Sequence, residues 1–182
     1  MIDWKDIWIR KGNLETKNLK LLNGYEKTTI DPKIVSLNIS KVLKINKNTR
    51  VLEIGCGAGM VAEHLDCQYV GIDYSHTLVE KHKRILKNDV YTCEANKVFF
   101  EDKSFDCVFA YSIFQYFPNI EYANEVISEM SRIATKKIFI GDLPRTSHEE
   151  NHLTYNEEMF SNWIKTEGYY NPHRFNAFLD VA

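Results

Sequence analysis

Arg50-Val-Leu-Glu-Ile-Gly-Cys-Gly-Ala-Gly-Met60 is the stretch whose reading decides the fold. Val51 to Ile54 is a short apolar run, read as a buried strand. It runs straight into a turn with glycine at positions 55, 57 and 59. From about Met60, the residues Val61, Ala62 and Leu65 predict the inner face of a helix. Glycines spaced in this way let backbone N–H groups approach a ligand that a Cβ would hold off. A helix N-terminus adds partial positive charge at the same spot. Strand, glycine turn and helix together predict a nucleotide-type site at the carboxyl end of a parallel strand.

The next strand sharpens that reading. Gln68-Tyr-Val-Gly-Ile-Asp73 ends in an acid 20 residues beyond Glu53 (73 − 53), the separation expected of a carboxylate that pairs with ribose hydroxyls in a βαβ unit. The glycine pattern is Gly-x-Gly-x-Gly and departs from the dinucleotide fingerprint, because Met60 stands where a third glycine or alanine is wanted. On Val-Leu-Glu-Ile-Gly-Cys-Gly-Ala-Gly and Gly71-Ile-Asp73 the chain resembles class I S-adenosylmethionine-dependent methyltransferases. The resemblance implies S-adenosyl-L-methionine as cofactor, with S-adenosyl-L-homocysteine as product. The residues it implies for binding are Glu53, Gly55, Cys56, Gly57, Gly59, Asp73, Tyr74, Glu94, Ala95 and Tyr111. Among these, Gly55, Gly57 and the Cys56 backbone would cradle the methionine part, Asp73 the ribose and Glu94 the adenine.

The bulk composition narrows the class further. A chain of 182 residues, 44% hydrophobic and 26% charged, is expected to form one globular domain. Residues 1–48 read as a helical lid or cap and 49–182 as the core. A net charge of −2 leaves no electrostatic footprint for nucleic acid, and no apolar run has the length of a membrane span. The N-terminus lacks the blocks of a signal peptide. Four cysteines without a Cys-x-x-Cys pair fit reduced thiols of a cytoplasmic protein better than a disulfide frame or a metal knuckle; separately, a monomer or homodimer is expected.

Along the chain, Trp4, Ile7 and Trp8 fall at helical spacing, which suits either a packing face or a lid over the cofactor. Asp31-Pro32 predicts a helix start, with an apolar side running to Leu43 and an end at Asn46-Lys47-Asn48. Ser75 predicts another start, for a helix through Leu86 that carries a packed His82 on its inner face. Val90 to Ala95 reads as a third strand and Ser104 to Tyr111 as a fourth. Tyr122 to Ile133 reads as a helix and Lys137 to Gly141 as a fifth strand. Tyr111, Phe114 and Tyr116 can serve as core or as ring faces toward a sulfonium. Gln115 and Tyr116 stand where the family often has histidine, and are expected on the acceptor side. A last helix is expected over Asn156–Lys165, followed by one antiparallel edge strand over Arg174–Val181. The fold class is therefore α/β, a doubly wound, mostly parallel Rossmann-like sheet with helices on both faces and an antiparallel final strand.

His148-Glu-Glu-Asn-His152 matches the His-Glu-x-x-His pattern of zinc peptidases, but its polar surroundings and nearby Pro144 argue against a buried metal helix, and no metal is expected. The reading is methyl transfer to a small-molecule acceptor, with Asp142, His148 and His152 as proton-handling residues. Arg145 and Arg174 hint at an anionic or phosphorylated acceptor. Short stand-alone methyltransferases of this shape resemble those that decorate bacterial surface polysaccharides or their precursors, which makes a sugar oxygen the expected acceptor. A non-catalytic binding module needing a partner, or a nicotinamide oxidoreductase, are the alternatives.

Overall fold

The computed structural model describes residues 3–146 and 152–181. Seven strands among these form one sheet: β1 (Arg50–Ile54), β2 (Gln68–Asp73), β3 (Asp89–Thr92), β4 (Phe105–Tyr111), β5 (Ala134–Pro144), β6 (Ile164–Glu167) and β7 (Arg174–Asp180). Their order is β3-β2-β1-β4-β5-β7-β6, parallel from β3 to β5 and antiparallel for β7 and β6. The glycine-turn strand β1 is thus the third of seven, with a parallel neighbour on each side.

The helices are α1 (Trp4–Gly12), α2 (Leu19–Leu22), α3 (Pro32–Leu43), α4 (His76–Leu86) and α5 (Ile120–Ile133). Their starts follow local chemistry. The Asp31 side chain accepts from Lys33 N at 2.9 Å with Pro32 in the first turn, and Ser75 and Asn119 cap α4 and α5 in the same way. Asn119 brings α5 in two residues earlier than the expected Tyr122. The α3 helix stops at Leu43, because Lys44 turns left-handed before the asparagines are reached.

Alternate residues of the central strands feed two cores. Leu52, Ile54, Val108 and Ile138 pack beneath Val126 and Met130 of α5. Val51, Phe109 and Phe139 pack on the other face with Val35 and Ile39 of α3 and Leu78 of α4. This is the burial expected of a sheet covered on both sides. No helix of the described residues is long and apolar enough to cross a membrane.

Two expectations are corrected. The helix predicted from Met60 is only a 3-10 turn, Ala62–His64. Residues 55–67 must make the glycine turn and still return to β2, so one turn is all the link can hold, and no helix dipole of consequence stands behind the glycines. The helix predicted over Asn156–Lys165 is a 3-10 turn, Glu157–Phe160, followed by strand β6. Asn176 of β7 explains the switch: its amide donates to the carbonyl of Glu167 at 2.8 Å and to Thr166 Oγ1 at 3.3 Å, drawing residues 164–167 into the sheet. The edge strand is therefore β6, and β7 lies inside it.

Candidate active site

The carboxyl ends of β1, β2 and β4 and the loop after β3 surround a cavity of about 800 Å³, roofed by α1. Gly55 and Gly57 line it with φ of +74° and +51°. A Cβ on Gly55 would sit 2.6 Å from Ile113 Cγ2, and one on Gly57 would sit 2.4 Å from Asn23 Nδ2, so neither position accepts a side chain without displacing a neighbour. Opposite stands Asp73, 8% exposed, accepting from Gly57 N at 2.9 Å and from Ser75 N at 2.8 Å. Burial raises its carboxyl to about 6 against those two hydrogen bonds, with the charge of Glu94 adding to the rise.

Glu94, Ala95 and Tyr74 also line the cavity, as the sequence led one to expect. Glu94 is paired with Lys5 of the roof and accepts from the Tyr122 hydroxyl at 3.2 Å. Tyr74 donates to the carbonyl of Trp4 at 3.2 Å, tying α1 to the end of β2. Thr77 reaches the carbonyl of Ile9 at 2.7 Å and fastens the same helix to α4. Trp4 and Trp8 stand over the opening, with ring centroids 4.9 and 5.2 Å from Tyr116. Both tryptophans line the cavity, and Trp8 also packs against the core beneath α3 and α4.

Several expected residues lie elsewhere. Glu53 is buried behind the turn and accepts from the Tyr69 hydroxyl at 2.6 Å. The Cys56 side chain faces Gly71 in the sheet. The backbone N–H groups expected to meet a ligand are engaged within the protein, Gly55 and Cys56 donating to the Ile72 carbonyl at 2.8 and 3.0 Å and Gly57 to Asp73. Gly59 (φ +97°) serves packing, since a Cβ there would meet Leu86 Cδ1 at 2.5 Å and His82 at 2.8 Å. His82 itself is fully buried with Nδ1 3.2 Å from the Gly57 carbonyl oxygen, and burial holds it down to about 4, so it is a neutral brace for the glycine turn.

Tyr111, expected at the cofactor, lines the cavity, as do Tyr116 and His152, expected toward the acceptor, and His152 stacks on Trp4 at 4.8 Å. Gln115 does not: it is 2% exposed, and its amide donates to the Ser112 carbonyl at 2.8 Å. Arg145 is clamped by Glu157 and Glu167, and Arg174 is buried against the carbonyl and carboxylate of Asp142. Neither arginine lines the cavity, so the anionic group they suggested has no cationic partner in them. His148 and the middle of the His-Glu-x-x-His stretch lie outside the described residues.

Sequence reasoning passed over Lys5, Asn23, Tyr25 and Ser112, all of which line the cavity. The Asn23-Gly24 turn was the one local signal among them. Gly24 has φ +79°, and its missing Cβ leaves room for Trp8, whose ring would be 2.8 Å away. Tyr25 and Ser112 carry no local mark at all.

A volume of this size suits a nucleoside-bearing ligand. The glycines at 55 and 57 facing a buried acid, with an open acid beyond the next strand, fit S-adenosylmethionine. Residues 52–137 match the family model described as a methyltransferase domain. A beauvericin nonribosomal cyclodepsipeptide synthetase of Beauveria bassiana is 32% identical over 105 residues, 51% of this chain and 3% of that one. The chain thus spans a small fraction of that relative's length. Among solved structures, magnesium protoporphyrin IX methyltransferase from Synechocystis PCC 6803 with bound SAH aligns with a TM-score of 0.66 at 14% identity, over 97% of this chain and 93% of that one. Phosphoethanolamine N-methyltransferase 1 of Haemonchus contortus aligns with a TM-score of 0.68 at 14% identity, over 97% of this chain and 47% of that one. By its sheet, its glycine cradle and its matched core, this chain is similar to the S-adenosylmethionine-dependent methyltransferases.

Proposed function

We propose that the protein transfers a methyl group from S-adenosylmethionine to an oxygen of a small, uncharged acceptor. The observation that carries the reading is the meeting of Asp73 with the Gly55–Gly57 turn across one cavity. The backbone at Gly55 and Gly57 lies along the methionine part of the cofactor, Asp73 accepts from the ribose hydroxyls, and Glu94 and Ala95 meet the adenine. When bound, the cofactor supplies an activated methyl on a sulfonium. The work left to the chain is alignment of the acceptor and exclusion of water. Trp4, Trp8 and Tyr116 close the site and present ring faces suited to a cation.

The acceptor reading rests on charge. The lining holds Asp3, Asp73 and Glu94 against Lys5, which Glu94 already pairs, while Arg145 and Arg174 are engaged elsewhere. An uncharged hydroxyl, such as one on a sugar of a surface-polysaccharide precursor, suits this lining better than a phosphate at the methylated end. His152 stacks in the roof and serves there to shape the opening.

Calorimetric titration with S-adenosylmethionine, S-adenosylhomocysteine and NAD tests the cofactor. Micromolar binding of the first two, lost in Asp73→Ala, is expected. Binding of NAD in preference, or of none of the three, would remove the proposal.

A further inference from the structure

Where β4 and β5 end side by side, two non-glycine residues hold left-handed backbone: Ser112 at φ +57° and Asp142 at φ +63°. Such conformations cost energy and persist where the surroundings impose them. Here the surroundings are plain. Ser112 N donates to the Gly141 carbonyl at 3.0 Å, and Asp142 N donates to Asn176 Oδ1 at 3.0 Å across an irregularity in the β5–β7 register. The outcome is one contact, Ser112 Oγ donating to Asp142 Oδ2 at 2.5 Å.

The two residues differ in access. Asp142 is 2% exposed and does not line the cavity, whereas Ser112 is half-buried and does. Behind the pair, Tyr170 donates to Asp142 Oδ2 at 2.9 Å and Arg174 at 3.2 Å, so the carboxylate is held in one place. Gln115 Nε2 donates to Ser112 Oγ at 3.1 Å and takes one lone pair. A hydroxyl oxygen has two, so one is left to accept from a hydroxyl in the cavity. The Tyr111 hydroxyl bounds the same region without a protein hydrogen-bond partner, and the Tyr25 hydroxyl stands beside Ser112 and Tyr170. An unsatisfied buried phenol in this wall points to a polar ligand beside it.

We propose that Ser112 takes the proton from an acceptor hydroxyl and hands its own to Asp142, making the pair a two-step proton relay. The inference rests on the methyltransferase reading above. As the acceptor oxygen bonds to the methyl carbon, its O–H bond breaks and the proton goes to Ser112 Oγ. The Ser112 proton moves to Asp142 Oδ2, and the electrons of the broken carbon–sulfur bond stay on sulfur. The methyl donor loses its positive charge as Asp142 loses its negative one, and Arg174 keeps its hydrogen bond to the Asp142 carbonyl oxygen at 2.9 Å when the carboxylate takes the proton.

Ser112→Gly is the test variant, because it removes the hydroxyl while easing the left-handed backbone. Asp142→Asn is its companion. S-adenosylhomocysteine affinity, measured by calorimetry, is expected to stay within about 3-fold of the wild type in Ser112→Gly. Phenol binding to the cofactor-free protein, followed by ligand-observed NMR, is expected to weaken by roughly 2- to 10-fold, the worth of one hydrogen bond. Methylation of phenol is expected to lose ~100-fold or more in kcat in both variants. Methylation of 4-nitrophenol at mildly alkaline pH, already ionised and needing no base, should lose less than ~10-fold. Equal losses on the two phenols, no loss in either variant, or a wild type that binds S-adenosylhomocysteine but neither binds nor methylates phenol, each overturns the relay. A wild type that binds no S-adenosylhomocysteine overturns the cofactor reading first, and the relay with it.

Discussion

Lys5 in the first turn of the roof helix is ion-paired with Glu94 at the end of β3, 89 residues away in sequence. The pair spans the mouth of the cavity and joins the lid to the carboxylate assigned to adenine. Both side chains are more than a third exposed, so the pair contributes at most about 1 kcal/mol. Lys5→Gln is therefore expected to leave stability nearly unchanged and to raise the release rate of S-adenosylhomocysteine by up to ~5-fold. Stopped-flow tryptophan fluorescence reads this directly. An unaltered release rate would mean that Tyr74 and Thr77 hold α1 without help.

Two buried acids, Glu53 behind the glycine turn and Asp73 in the cavity, set a pH dependence. Burial pushes Glu53 up to about 8, opposed by the Tyr69 hydrogen bond and reinforced by the charge of Asp73. An unfolded glutamate titrates near ~4.3. Between those values the native state holds a proton that the unfolded chain has released. Stability is therefore highest below the window and falls as the pH rises through about 8. Asp73, raised to about 6, acts in the same sense over a narrower range. Urea unfolding across this span is expected to show the slope in the wild type and a flatter one in Glu53→Gln.

The role proposed for Asp73 in binding carries its own prediction. Two hydrogen bonds from ribose hydroxyls to a carboxylate, at about 1.5–3 kcal/mol each, imply a loss of ~100-fold or more in affinity for Asp73→Ala. In the wild type, affinity for S-adenosylhomocysteine is expected to weaken as the pH falls below about 6, because the protonated acid accepts less well. Affinity flat across that range would place the ribose elsewhere.

The glycines of the turn separate into two jobs. Gly55→Ala puts a Cβ against Ile113 at the cavity wall and is expected to weaken S-adenosylhomocysteine binding by more than ~10-fold, given strain plus a misplaced cradle. Gly59→Ala drives a Cβ into Leu86 and His82 and is expected to cost about 2–3 kcal/mol of stability. Binding to its folded fraction should be nearly intact. Thermal melts paired with calorimetry distinguish the two.

Arg145 offers a contrast with its sequence-based role. It donates to Glu157 at 2.8 Å and to the Arg174 carbonyl at 2.7 Å, and lies 5.2 Å from the centre of the Phe175 ring. Arg145→Ala should destabilise by about 1–3 kcal/mol through loss of charge-assisted hydrogen bonds, with KM for the acceptor unchanged. A raised KM at full stability would return it to the site.

Much of the molecule was legible before any contact was known, and the misses share one cause. The strands carry their own apolar runs, the caps at Asp31 and Ser75 act on N–H groups two or three residues on, and Asp73 was marked by its distance from the glycine turn. The helix expected after Met60 and the one before β6 failed because link length and the side chain of Asn176 decided them, neither of which a helical period records. Gln115 and Arg145 were assigned by residue type to a rim, whereas their partners Ser112, Glu157 and Glu167 turned them away from the cavity.

The sequence by itself determined the sheet core, the cradle at Gly55 and Gly57, and the acid at Asp73, because each rests on forces acting within a strand, a turn or one βαβ unit. Only the tertiary structure decided that Ser112 meets Asp142 across 30 residues, that both arginines are neutralised, and that Trp4 and Trp8 roof the site. Those outcomes depend on which strand ends lie side by side and which charges find each other on burial, and no local pattern encodes that.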